Sequence, residues 1–276
     1  MPWHASLDLR YRRQEQTTVV HHRHLGPLRL FRSLYPEGPG ICHNVIIHPP
    51  AGLVEGDTLD INVTVEPGAH GLISTPGATR FYRSDGAPAT QSVTLRLEEN
   101  AHLEWVPLET IAYPGCRGHN RLAVTLAPGA TLLAWDVTAL GLPGSGQPYA
   151  HGELHQHMSI AGLWLEQGRL DGQDLRLMDG PLGLAGQRCL GSLVLARGTP
   201  WTRDEREHLL ETVRAHLPEA LQPVAAGASC PNDQVMVLRA VGPLVEPVMA
   251  LFQQVWAPLR AAVWGLGGTP PRIWHV

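Results

Sequence analysis

Two acids, Glu55 and Asp57, stand one residue apart in the stretch His48-Pro-Pro-Ala-Gly-Leu-Val-Glu-Gly-Asp-Thr-Leu-Asp60. Carboxylates held together on a stiff loop can bind a divalent cation. This loop has the means to be stiff, since Pro49 and Pro50 fix φ, and Gly52 and Gly56 are free to take φ > 0. The bland alternative is a rigid hairpin with solvated acids. Three more acids stand alone beside apolar runs: Glu109 next to Thr110-Ile-Ala112, Asp136 after Leu132-Leu-Ala-Trp135, and Glu166 after Leu163-Trp-Leu165. Arg80 and Arg83 share a loop with hydroxyls and aromatics and can either clamp an anion or pair with Glu109 and Asp136. Pairing is the simpler reading.

Other chemistries lack their residues. The chain has no lysine, so neither a phosphate loop of the Walker type nor a Schiff base is open to it. Gly144-Ser145-Gly146 does not have the spacing of a nucleophile elbow. The densest histidine cluster is His21-His22-Arg23-His24. On a strand, His22 and His24 share one face, either as a polar strand end or as two ligands of a borderline metal. His151, His155 and His157 form a looser cluster that reads as a polar strand face. Cys42, Cys116, Cys189 and Cys230 are far apart with no C-x-x-C pair, which suits a reducing cytoplasm.

The elements that must position these residues are mostly strands. Val45-Ile-Ile47 enters the acidic stretch, and Leu59, Ile61, Val63 and Val65 alternate out of it, a strand-turn-strand pattern. Leu7–Tyr11 and Thr17–His22 alternate as well, and Gly26–Arg32 continues as strand. A repeat follows: Val65-Glu-Pro-Gly-Ala69-His, Leu97-Glu-Glu-Asn-Ala101-His and Leu126-Ala-Pro-Gly-Ala130-Thr each lead into a new apolar strand. The alanines lie 32 and 29 residues apart, a period that suggests stacked β rungs.

Helical signals come late. Thr202 and Glu205 form a capping box before Leu209, Leu210, Val213 and Leu217. Pro243–Trp264 has helical spacing, with Pro247 at its start and Pro258 as a kink, and Val235–Arg239 between the two reads as strand. The expected fold is mainly β, a layered, solenoid-like architecture with about two helices near the C-terminus, in a single domain over 1–276. A formal charge of -4 without a basic tract argues against nucleic acid. No run approaches the roughly 18 apolar residues of a membrane span, and the N-terminal stretch has no signal-peptide core.

The order of the motifs resembles the urease accessory protein UreD (UreH) family over nearly the whole chain. The matching features are Gly26-Pro-Leu28, Leu34-Tyr-Pro-Glu-Gly38, His48-Pro-Pro50 through Gly56-Asp57, Thr75-Pro-Gly-Ala-Thr79 with Phe81-Tyr-Arg-Ser84, Glu109-Thr-Ile111, Pro128-Gly-Ala130 and Pro271-Arg-Ile-Trp274. The chain departs from the family pattern at Ala51 (usually glycine), Arg80 (usually lysine) and Leu108 (usually glutamine). At Leu142 and Gln147 an arginine and a glutamate are lost together, as an ion pair would be.

The resemblance implies a β-rich superhelix that is not an enzyme. It implies a scaffold between apo-urease and a complex of the accessory proteins UreF and UreG, dimeric within that complex. It also implies nickel passing through an internal tunnel, with no tightly bound cofactor. Asp57, Asp136 and Glu166 are the candidates for the path, with Glu55 and Glu109 behind them. Two rivals are a pure adaptor and a β-rich metalloenzyme using His22, His24 and His48.

Overall fold

The computed structural model describes residues 2–218 and 223–275. The repeat is a coil. Val65 lies opposite Leu97 and Leu97 opposite Leu126 in parallel register, so each copy stacks one strand on the last. At each corner an amide reaches the previous coil: Glu98 N donates to the Val65 carbonyl and Ala127 N to that of Leu97, both at 2.9 Å. The turns need left-handed backbone at Gly68 (φ 67°), Asn100 (φ 53°) and Gly129 (φ 72°). Ala69, Ala101 and Ala130, which follow, are fully buried.

Repetition of this unit gives a β-solenoid of about four turns. Its seven-stranded sheet runs Trp164–Asp171, Glu153–Ile160, Arg117–Leu126, Ala89–Leu97, Thr58–Val65, His4–Gln14, Thr17–Leu25. The inner pairings are parallel and both outermost ones antiparallel. The larger sheet includes, in order, Ala225–Ser229, Val235–Gly242, Cys189–Arg197, Thr131–Leu142, His102–Trp105, His70–Ser74, Ile41–Ile47 and Arg29–Leu30. One core lies inside the solenoid, around Leu7, Ile61, Val63, Leu95, Leu97 and Val124. A second lies between the larger sheet and the helices, around Leu133, Trp135, Leu193, Met236 and Phe252. Strand Thr131–Leu142 serves both, since Leu132 and Ala134 face one core and Leu133 and Trp135 the other. That is why it reads as an unbroken apolar run.

The acidic stretch is not a hairpin. Ile41–Ile47 belongs to the larger sheet and Thr58–Val65 to the seven-stranded one. Each finds parallel neighbours in adjacent coils, so their apolar patterns are satisfied without pairing to each other. Between them Gly52–Leu53 pairs with Arg80–Phe81 along a third side of the coil. Gly56 takes φ 76° as expected, but the other left-handed residue is Ala51 (φ 63°) and not Gly52. Gly52 is needed for space, because a Cβ there would lie 2.1 Å from the Tyr82 ring. In Gly26–Arg32 only Arg29–Leu30 is strand.

Both expected helices form. Arg203–Arg214 starts at Thr202, whose side chain accepts from Glu205 N while Glu205 accepts from Thr202 N, a complete capping box. Val245–Trp264 contains Pro258 and ends at Gly265 in the left-handed region. A four-residue helix, Leu175–Met178, was not legible in the sequence. The long helix is fastened by more than apolar contact. Arg260 is fully buried and pairs with Glu104 (3.1 Å), itself fully buried, and with Glu37 (2.7 Å). Glu104 also accepts from Trp256 Nε1 at 2.7 Å and lies 3.0 Å from His70 Nε2. Glu37 is held at about pH 2, because hydrogen bonds from His43 and Arg260 outweigh the upward push of burial.

Candidate functional site

Two cavities, of about 280 and 380 Å³, lie between the sheets. The first is lined by His48, Ala51, Thr79, Arg80, Gln91 and Thr110 among others, and the second by Gln156, His157, Glu166, Ser192 and Arg239. They share Asn120, Leu122 and Asp136 as lining residues. The linings step from the coil containing Ile46 and Leu59 to the last strands of the stack.

Asp136 stands where they meet. Its Oδ1 accepts from Thr138 Oγ1 (2.9 Å) and Gln156 Nε2 (3.0 Å), and its Oδ2 from Asn120 Nδ2 (2.8 Å). All three donors are neutral. Burial therefore pushes the carboxyl pKa up, with the nearby Glu166 charge adding to the effect, and the hydrogen bonds only partly offset it. Glu166 sits on the other sheet face, accepting from Ser192 Oγ at 2.6 Å and paired with Arg239 at 2.6 Å. The side chains bridge the two sheets where the coil is open between Trp164–Asp171 and Val235–Gly242.

The other candidates are elsewhere. Asp57 is only 2% exposed and its carboxylate closes the corner, accepting from Val54 N (3.0 Å) and Trp3 N (3.2 Å). Both bonds tie the carboxylate to backbone amides of the corner. Glu55 is exposed, with its carboxylate against Gly86. Leu108 and Thr110 line the first cavity, whereas Glu109 between them does not.

The expected pairing of the arginines with Glu109 and Asp136 does not occur. Arg83 pairs with Asp85 on the surface at 3.2 Å, and Arg80 lines the first cavity without a carboxylate partner among the described residues. Burial lowers the His48 pKa, and its Nε2 has no hydrogen-bond partner. His22 and His24 stack at 6.3 Å on one strand face as expected, but in the edge strand of the seven-stranded sheet and not with His48. Among the described residues no group of three or more His, Cys, Asp or Glu is arranged to hold a metal ion.

Sequence reading missed Asn120, Gln156 and Ser192, neutral residues that belong to no motif. It also missed the Glu37–Arg260–Glu104 network, whose members lie far apart in the chain. Leu142 and Gln147 are direct cross-strand partners. An arginine and a glutamate at these positions would face each other.

The molecule is thus a β-solenoid whose two cavities share Asp136 in their linings, with Glu166 in the second. The chain belongs to the UreD urease accessory protein family, whose profile matches residues 4–275. It is 54% identical over 274 residues to a protein of Paracidovorax citrulli described as urease accessory protein UreD, covering 99% of each chain. Proteins of the same description from Polaromonas sp. and Methylibium petroleiphilum are 52% and 44% identical, each with 100% of both chains covered. No helix among the described residues is long and apolar enough to cross a membrane.

Proposed function

We propose that the chain is a urease maturation factor that bridges apo-urease to a UreF–UreG complex and passes nickel along its interior, without turnover of its own. Family membership supports the maturation role. The observation that carries the nickel path is Asp136, an acid set at the junction of two interior cavities with Glu166 in the second. A passing cation needs ligands it can leave, and single carboxylates among neutral amides and hydroxyls bind weakly. Arg239 occupies Glu166 and would be displaced by the ion. The raised pKa of Asp136 means that cation and proton compete there, so occupancy increases with pH. Asp57 holds the corner beside the first cavity, and Glu55 and Glu109 contribute to the surface.

The test is Asp136→Ala in cells that also make urease and its accessory proteins. The expected result is an intact complex with under-loaded urease of low activity. Unchanged activity would remove Asp136 from the path. The pure-adaptor reading is separated by Thr79→Trp, which fills the first cavity and leaves both acids in place. A conduit loses nickel delivery while keeping its partners, whereas an adaptor loses nothing.

A further inference from the structure

We propose that the open sheet edge at Val20, His22 and His24 takes an added β-strand from an acidic segment of a protein partner. Thr17–Leu25 ends the seven-stranded sheet. Its Thr18 amide donates outward to the Pro39 carbonyl at 2.9 Å, and its carbonyl accepts from Tyr35 Oη at 3.0 Å. In an antiparallel strand both backbone groups of a residue point to the same edge and alternate along the chain. Val20, His22 and His24 therefore turn their N–H and C=O outward, beyond the loop that covers Thr18. The register agrees, since residues 6, 8, 10 and 12 face 25, 23, 21 and 19, while Trp3 and Tyr11 carbonyls bond the opposite neighbour. Residues 21–25 are all exposed.

Charge identifies the occupant. Residues 1–50 contain six arginines and three acids, whereas the rest of the chain contains 15 arginines and 22 acids. Arg23 and Arg32 have no carboxylate partner among the described residues. Beside this charge stand Leu25 (60% exposed), Phe31 (46%) and Leu34 (56%). Their segment is tied to the edge strand by Arg29 Nη1 on His24 Nδ1 at 3.0 Å.

Arginines and histidines on an edge strand also guard against edge-to-edge aggregation. That guard does not account for large apolar side chains left in water next to it. Positive charge with apolar anchors on an open edge fits strand addition by an acidic, partly apolar segment. Like charge disfavours a second copy in the same place.

The choice of proteins to test rests on the maturation reading. Amide exchange is measured on the full chain alone, with purified UreF–UreG and with purified apo-urease. In one of the two complexes, exchange at His22 and His24 should slow at least tenfold. Arg23→Glu/Arg32→Glu should weaken that partner at least tenfold and leave the other unchanged. His22→Pro/His24→Pro, which removes two outward donors but no bond to strand His4–Gln14, should act in the same way. Binding of a partner with the edge amides unprotected, or with the charge variant at full affinity, overturns this inference alone. Binding of neither protein overturns the maturation reading and this inference together. Protection that grows with the chain's own concentration assigns the edge to a second copy and overturns the acidic partner.

Discussion

Ala51 holds φ at 63°, a conformation an alanine adopts only under constraint from its surroundings. It sits between the His48–Pro50 entry and Gly52, whose place is fixed by the Tyr82 ring. A non-glycine residue in this region costs about 1–3 kcal/mol. Ala51→Gly should therefore raise stability by about 1 kcal/mol at unchanged m-value in urea unfolding. A decrease would mean that the Ala51 methyl packs usefully. Asp136 is the second residue out of balance with its surroundings. Its folded pKa lies above the ordinary aspartate value of 3.8, so its favourable contribution is complete below that pH and lost as pH rises through the folded pKa. Asp136→Asn, which cannot ionise, should remove this pH dependence of the melting temperature while failing in nickel delivery. Both acids of the cavity pair were visible in the sequence as lone charges beside apolar runs. The left-handed residue was misplaced by one position, since a glycine placed for space looks the same in sequence as one placed for φ.

At the level of elements, the short helix Arg203–Arg214 was legible because its signal is local: Thr202 and Glu205 are three residues apart and bond each other. Thr202→Ala should cost about 1 kcal/mol in thermal or urea unfolding. The long helix was legible as a helix but not in how it is fastened, because Arg260 meets acids 156 and 223 residues away. Arg260→Met should cost about 3–5 kcal/mol, since it leaves two acids buried without their cation. Replacing Glu37 and Glu104 by apolar residues as well should recover much of that loss.

The same interface is sensitive to acid. Burial holds His102 down at about pH 4, with His70 adding to the effect, so it is neutral in the folded chain. A histidine with a lowered pKa gives stability that is complete above 6.5 and lost as pH falls toward 4. Glu37 adds a second loss as pH falls from 4.5 toward 2. Melting temperature should decline in these two windows, and His102→Gln should remove the first.

For the whole molecule, the stacked architecture could be read from a period of about thirty residues, because each coil repeats the same corner chemistry. The sequence did not disclose which side of a coil each strand takes, and so the acidic stretch looked like a hairpin. In a stack each layer leans only on its neighbours, so stability is graded along the axis. Amide exchange should be slowest in Ala89–Leu97 and Arg117–Leu126, which have parallel partners on both sides, and fastest in Thr17–Leu25. Uniform protection would contradict a layered stack.

The parallel register has a geometric corollary. Strands lie about 4.8 Å apart along the stacking axis, so inserting or removing one coil would change the length of the interior in steps of that size. The distance between the His48 end and the Glu166 end is thus counted in whole layers, each one strand spacing deep.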